Sequence, residues 1–204
     1  SIIEHRLMGE FIPTVKTYNF IVSKQLHHKE LGYKPYPFQL ANTLDIPLKS
    51  LLITDHQFEW KYDGIRGQII KRNKNITIWT RGEELVNNSF PELVNLITLL
   101  KDDFVIDGEI LIWDSVKDCP DDFGLLQKRL RRKSPSNKIQ KDLPISFLIY
   151  DLLELNGEDL RENILSERRA KLEKIYLNWK DKTSDPYFYK LRLTNLFKLY
   201  NWED

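Results

Sequence analysis

Ile65-Arg66-Gly67-Gln68-Ile69-Ile70 and Ile76-Thr77-Ile78-Trp79-Thr80, separated by Asn73-Lys74-Asn75, decide the fold class. Both runs are rich in β-branched residues, and the asparagine-flanked break between them reads as a hairpin turn. A hairpin makes the pairing antiparallel. Working outward, Ser89-Phe90-Pro91-Glu92 has the spacing of a capping box. It should open a helix with Leu93, Leu96, Ile97 and Leu100 on one face. Residues 104–113 read as a strand and 145–152 as a second, more apolar one, with a helix expected over 123–132. After Ser166, Leu172, Ile175, Tyr176 and Trp179 recur at i, i+3, i+4 and i+7, which predicts an amphipathic helix. Strands in hairpins with helices interspersed, and no strict βαβ alternation, predict an α+β domain built on antiparallel sheets. Before it, Tyr18, Ile21, Val22, Gln25 and Leu26 suggest a helix that Pro13 limits. Gly32-Tyr33-Lys34-Pro35-Tyr36-Pro37-Phe38 reads as the boundary, dividing 1–33 from 34–204.

Composition narrows the function. Among 204 residues, 31 Lys and Arg face 30 Asp and Glu, a formal net charge of +1. A uniformly basic nucleic-acid binder is excluded, so any such surface must be a local patch. One cysteine, Cys119, excludes an intrachain disulfide framework and a cysteine zinc cluster. No apolar run approaches a membrane span, and the N-terminus does not read as a signal peptide, so a cytoplasmic location is expected. The first residue is not Met, and a chain that is processed, tagged or cut from something longer is expected.

Four segments can carry chemistry. In Glu59-Trp60-Lys61-Tyr62-Asp63-Gly64-Ile65-Arg66, alternation places Glu59, Lys61 and Asp63 on one side of an extended chain, ahead of a glycine turn. Lys61 is an attacking amine or part of a surface salt-bridge ladder. A lysine nucleophile must be neutral, and at an ordinary pKa only about one in a thousand is neutral near pH 7.4, a cost of roughly 4 kcal/mol. Such a site therefore needs a metal or nearby cations. In Val105-Ile106-Asp107-Gly108-Glu109-Ile110-Leu111-Ile112-Trp113, period two puts Asp107 and Glu109 on one face with Val105, Leu111 and Trp113. Two acids on an apolar face need a partner, a ligand or a metal, unless the strand is a kinked edge. Tyr150, at the end of the 145–152 strand, is a stacking platform or simple core. Finally, residues 128–141 hold seven basic residues and no acid, including Lys128, Arg129, Arg131 and Arg132. They suit phosphate contacts or a solvated helix end.

Together these segments resemble the adenylation domain of ATP-dependent DNA ligases, in the covalent nucleotidyltransferase superfamily. Glu59 to Arg66 resembles the first motif of that family. Thr80-Arg81-Gly82 resembles the short arginine motif after it, Val105 to Glu109 the third, and Phe147-Leu148-Ile149-Tyr150-Asp151-Leu152-Leu153 the aromatic-Asp motif. Ile3-Glu4-His5-Arg6-Leu7-Met8-Gly9 is similar to the last part of the helical DNA-binding domain of three-domain bacterial ligases. The resemblance implies an ATP-grasp-like core of two antiparallel sheets with flanking helices and the nucleotide cleft between them. It implies that Lys61 forms lysyl-AMP from ATP with Mg2+ or Mn2+, and that AMP passes to the 5′-phosphate of nicked duplex DNA before the 3′-OH displaces it. By the same analogy Glu59 accepts from the adenine amino group, and Arg66 and Glu109 contact the ribose. Arg81 acts near the ribose or the nick phosphate, Tyr150 stacks on adenine, and Asp63 and Glu109 face the metal. A nucleoid-associated monomer is implied.

Two later motifs of the family, a Glu-Gly stretch with a lysine and then Lys-x-Lys, are not found in that order, since no Glu-Gly pair occurs in the 204 residues. The expectation is a piece of a longer ligase, inactive by itself or acting as a nicked-DNA-binding fragment. An RNA ligase or a capping guanylyltransferase is the nearest alternative enzyme.

Overall fold

The structure, a computed structural model, describes residues 13–22 and 33–202. Helix α1 (Val15–Val22) begins two residues after Pro13. The rest of the helix expected over 1–33, and the segment Ile3 to Gly9, lie outside the described residues.

The hairpin forms as the sequence predicts. Strands β2 (Ile65–Arg72) and β3 (Asn75–Thr80) pair antiparallel, with Arg72 opposite Asn75. Asn73 takes φ 57°, a left-handed conformation that asparagine tolerates in tight turns. Strand β2 also pairs antiparallel with β4 (Phe104–Asp114), and β4 with β6 (Ile145–Leu155). Asn156-Gly157, both with positive φ, then turns the chain into β7 (Glu158–Asp159). The order is β3-β2-β4-β6-β7, with β5 (Cys119–Pro120) added to β4 and β8 (Leu191–Leu193) added to β6.

Two features differ from the expectation of two antiparallel sheets. Strand β8 runs parallel to β6, so the seven-stranded sheet is mixed. The other sheet among the described residues is a two-stranded ribbon of β1 (Phe58–Glu59) and β9 (Leu196–Phe197). A strand of two residues carries no readable period, which is why neither β1 nor β9 was visible in the sequence.

The period-two reading of β4 is borne out. Phe104, Ile106, Ile110 and Ile112 enter the main core, with Ile69, Ile78, Phe147 and Ile149. Helices α2 (Pro91–Leu99), α3 (Phe123–Leu130) and α5 (Leu165–Lys182) cover that face through Leu93, Leu96, Leu126, Leu172 and Trp179. Each such buried side chain contributes about 1.5–3 kcal/mol of transfer free energy. Val105 packs on the opposite side with Tyr36, Ile70 and Trp79, and Leu111 and Trp113 with Leu148. Asp107 and Glu109 lie between these two small clusters.

The capping box does not form. Residues Asn87–Ser89 make a 3-10 turn, so α2 starts one residue late, with Phe90 at its N-cap and no side-chain cap. Ser89 Oγ donates instead to the Leu130 carbonyl at 2.9 Å. Both Glu92 oxygens accept from Arg129, at 2.6 and 2.7 Å. Arg129 is fully buried and also donates to the Ser89 carbonyl. Arg129 is therefore corrected: it clamps α3 to the start of α2 and cannot reach a phosphate.

A second buried ion pair gives the fold a pH dependence. Arg72 reaches Glu154 at 2.9 and 2.6 Å, and the Tyr36 hydroxyl donates to it at 2.5 Å. Burial pushes the Glu154 carboxyl up, but the Arg72 and Tyr36 hydrogen bonds outweigh it and hold the group below its ordinary value. Glu154 thus adds stability above the pKa of the unfolded chain, and that stability is lost as pH falls through the folded value. We predict that Glu154→Gln flattens the acid limb of a plot of urea midpoint against pH. An acid limb of unchanged slope would remove Glu154 from the pH dependence.

Candidate active site

Lys61 stands on the short link between β1 and β2, where the chain must lie against β4. Gly64 makes that approach possible. A Cβ there would sit 2.4 Å from the Ile110 carbonyl oxygen and 2.8 Å from Glu109 Cγ, so no side chain fits. Gly108, at the centre of β4, has the same reason: a Cβ would meet the Leu148 carbonyl at 2.3 Å. The pairing of β4 with β6 shifts register there, between Asp107 and Gly108, and Tyr150 falls in the irregularity.

Five residues singled out in the sequence line one cavity of about 400 Å³: Lys61, Asp63, Arg66, Arg81 and Glu109. Lys61, Asp63 and Arg81 are exposed there, and Glu109 is half-buried. Sheet register explains the convergence. Glu109 lies directly opposite Arg66, and the Arg81 N–H donates to the Arg66 carbonyl at 2.9 Å. Burial pushes the Glu109 carboxyl up to about 7, against a hydrogen bond from the Gly64 N–H and the charge of Arg66, which both lower it. Glu109 is therefore poised to release a proton when a cation or a hydrogen-bond donor reaches it near neutral pH.

Asp107 is the hub beside this cavity. It is almost fully buried and takes Arg66 Nη2 at 2.8 Å on Oδ2 and Nε at 3.4 Å on Oδ1. The Tyr150 hydroxyl donates to Oδ1 at 3.3 Å. The Arg66 guanidinium lies between the Phe38 and Tyr150 rings, 5.5 and 5.7 Å from their centroids. Tyr150 thus joins the site through Arg66 and Asp107 rather than as isolated core.

Glu59 is held from the far end of the chain. Its Oε1 accepts from Thr194 Oγ1 at 2.5 Å and from Arg169 Nη1 at 3.1 Å. Arg169 in turn bonds Glu173 and the Thr194 carbonyl. Sequence reasoning missed Arg169 and Thr194 as supports. Thr194 is 135 residues from Glu59, and no local pattern links them. Asp151 is similarly gripped by Arg168, at 2.8 Å to each oxygen.

The basic segment splits. Lys128, Arg131 and Arg132 are exposed at the end of α3, while Arg129 is the buried clamp. Leu130, between them in the chain, lines the Lys61 cavity. Among the described residues no three His, Cys, Asp or Glu side chains form a metal-binding group, and no helix is long and apolar enough to cross a membrane.

Comparison with known proteins places the fold and the family. Residues 39–195 match the family model of the ATP dependent DNA ligase domain. A probable DNA ligase of Koribacter versatilis is 33% identical over 145 residues, covering 71% of this chain and 25% of that protein. A DNA ligase of Sulfophobococcus zilligii is 35% identical over 160 residues, covering 76% of this chain and 25% of its own length. The chain thus spans about a quarter of the length of these relatives. Among solved structures, a mycobacterial DNA ligase D complexed with ATP and MES superposes with a TM-score of 0.53 at 26% identity, covering 70% of this chain and 40% of that one. With the family model matched over residues 39–195, more than half of its length, the chain belongs to the ATP-dependent DNA ligase domain family.

Proposed function

We propose that this domain carries out the nucleotidyl-transfer chemistry of an ATP-dependent DNA ligase, with Lys61 as nucleophile. Lys61 attacks the α-phosphorus of ATP, the N–P bond forms, and pyrophosphate leaves. AMP then passes to the 5′-phosphate of a nicked duplex, and the 3′-OH displaces it. The observation that carries this reading is the convergence of Lys61, Asp63, Arg66, Arg81 and Glu109 on one cavity. Two guanidinium groups there offset phosphate charge as it develops. Among the described residues Glu59 bonds Thr194 and Arg169 through Oε1 alone, which leaves Oε2 to accept from an adenine amino group. Tyr150 offers a ring for stacking, and Arg66 and Glu109 flank the place of the ribose.

The donor set fits a divalent cation such as Mg2+. Such an ion takes one or two carboxylates and fills its remaining positions with phosphate oxygens and water. Asp63 and Glu109 would hold it, and bound there it would neutralise charge on the phosphates.

The test is covalent trapping. The full-length protein, incubated with α-labelled ATP or GTP and a divalent cation, is expected to keep label from ATP through denaturing electrophoresis. Label from GTP alone would replace the ligase reading with a capping-type one.

The exposed cations at the end of α3 are proposed to contact the phosphate backbone of DNA. Neutralising Lys128, Arg131 and Arg132 together should reduce the slope of log affinity against log salt by roughly three phosphate contacts, about 2.7. An unchanged slope would mean that these charges face only water.

A further inference from the structure

A second cavity, of about 560 Å³, shares no lining residue with the Lys61 cavity. Its walls come from α2, from α4 (Asn137–Asp142) and from the segment that leads into β8. Lys190 is the unusual residue. Only 5% of the residue is exposed, its ammonium opens to the cavity, and among the described residues it makes no hydrogen bond and no ion pair. It lies over the rings of Tyr187 and Tyr189, 5.9 and 5.3 Å from their centroids.

A lysine this deeply buried, whose compensating carboxylate Glu92 is already bonded to Arg129, gains from a further anion. Both Glu92 oxygens serve Arg129, and Asp185 accepts the Tyr187 N–H at 2.6 Å. With Arg129 counted beside the lining, three cations (Arg129, Lys141 and Lys190) face these two acids. Burial lowers the Lys190 ammonium from its ordinary value, with Glu92 opposing and Arg129 adding to the effect. The polar side chains Asn95, Asn137 and Ser115 complete the lining and can donate hydrogen bonds. The volume lies within the range of about 300–1,000 Å³ usual for small-molecule pockets.

We propose that this cavity binds a small molecule through a phosphate group, with Lys190 as the cation that meets it and Tyr187 and Tyr189 flanking the ligand. Lysine serves such groups as a point charge. The amides of Asn95 and Asn137 supply donors to the phosphate oxygens. The site is separate from the nucleotide chemistry, and Lys61 takes no part in it.

Thermal unfolding of the full-length protein tests this, with inorganic phosphate and ribose 5-phosphate titrated against sodium chloride at matched ionic strength. Either phosphate should raise the midpoint saturably by about 2–4 °C, the size expected when ligand exceeds its Kd severalfold. A response to both means that the phosphate group suffices, and a response to ribose 5-phosphate alone means that the sugar is needed. Lys190→Met should abolish the rise and Lys61→Ala should keep it. If Lys190→Met does not fold, Asn95→Asp replaces it as the blocking variant, since it puts a carboxylate in the cavity to occupy the ammonium. The proposal is overturned by no rise beyond that of chloride, by a rise that survives the blocking variant, or by one that Lys61→Ala removes.

Discussion

Lys61→Ala is expected to abolish the covalent adenylate completely while leaving the fold intact. Lys61 is exposed, and its side chain makes no hydrogen bond or ion pair among the described residues, so its removal should change stability by less than about 0.5 kcal/mol. The chemistry has no substitute. Arg66 and Arg81 share the cavity, but a guanidinium stays protonated and has no lone pair to offer phosphorus. Lys61→Arg should for the same reason keep the charge and lose the adduct. The measurement pairs label retained after denaturing electrophoresis with a thermal midpoint on the same preparations. Wild-type levels of label in Lys61→Ala would show that another group is the nucleophile.

Glu92→Ala is expected to be the most damaging single change to the fold. It strips Arg129 of its carboxylate while leaving the guanidinium fully buried. Breaking a buried pair from one side costs about 3–5 kcal/mol. For a chain of this size that lowers the midpoint by roughly 6–20 °C. Lys190 deepens the loss, since Glu92 is the carboxylate that favours its charge. Removing both partners should be milder: Glu92→Leu with Arg129→Met replaces the pair by apolar volume and is expected to recover most of the loss. Denaturant unfolding of the single and double variants measures the coupling. A cost below about 1 kcal/mol for Glu92→Ala would mean that Arg129 does not depend on this pair.

The parts of this domain that could be read in the sequence are those whose logic is local. The hairpin of residues 65–80 announced itself by β-branched runs around an asparagine turn. The alternation along β4 placed Asp107 and Glu109 together, opposite Ile106 and Ile110. Arg129 was misread because a run of like charges hides the helical period. It lies three residues after Leu126 and so on the inward face of α3. Strand β8 and the ribbon of β1 with β9 were not legible, because short strands take their identity from distant partners. The site followed the same division. Lys61, Asp63 and Glu109 stand out as charged residues beside glycines. Arg169 and Thr194, which hold Glu59, are set by tertiary contacts alone.

The ribbon that pairs Phe58 with Phe197 and Glu59 with Leu196 has a consequence for the order of assembly. A ribosome releases Lys61 long before it adds Thr194. Until then the nascent chain has Lys61 but not the pair of Thr194 and Arg169 that holds Glu59, and loop closure over 135 residues is still to come. The half of the domain that carries Lys61 is therefore translated before the residues that hold Glu59, so a stalled or half-made chain carries that lysine without the support of Thr194 and Arg169.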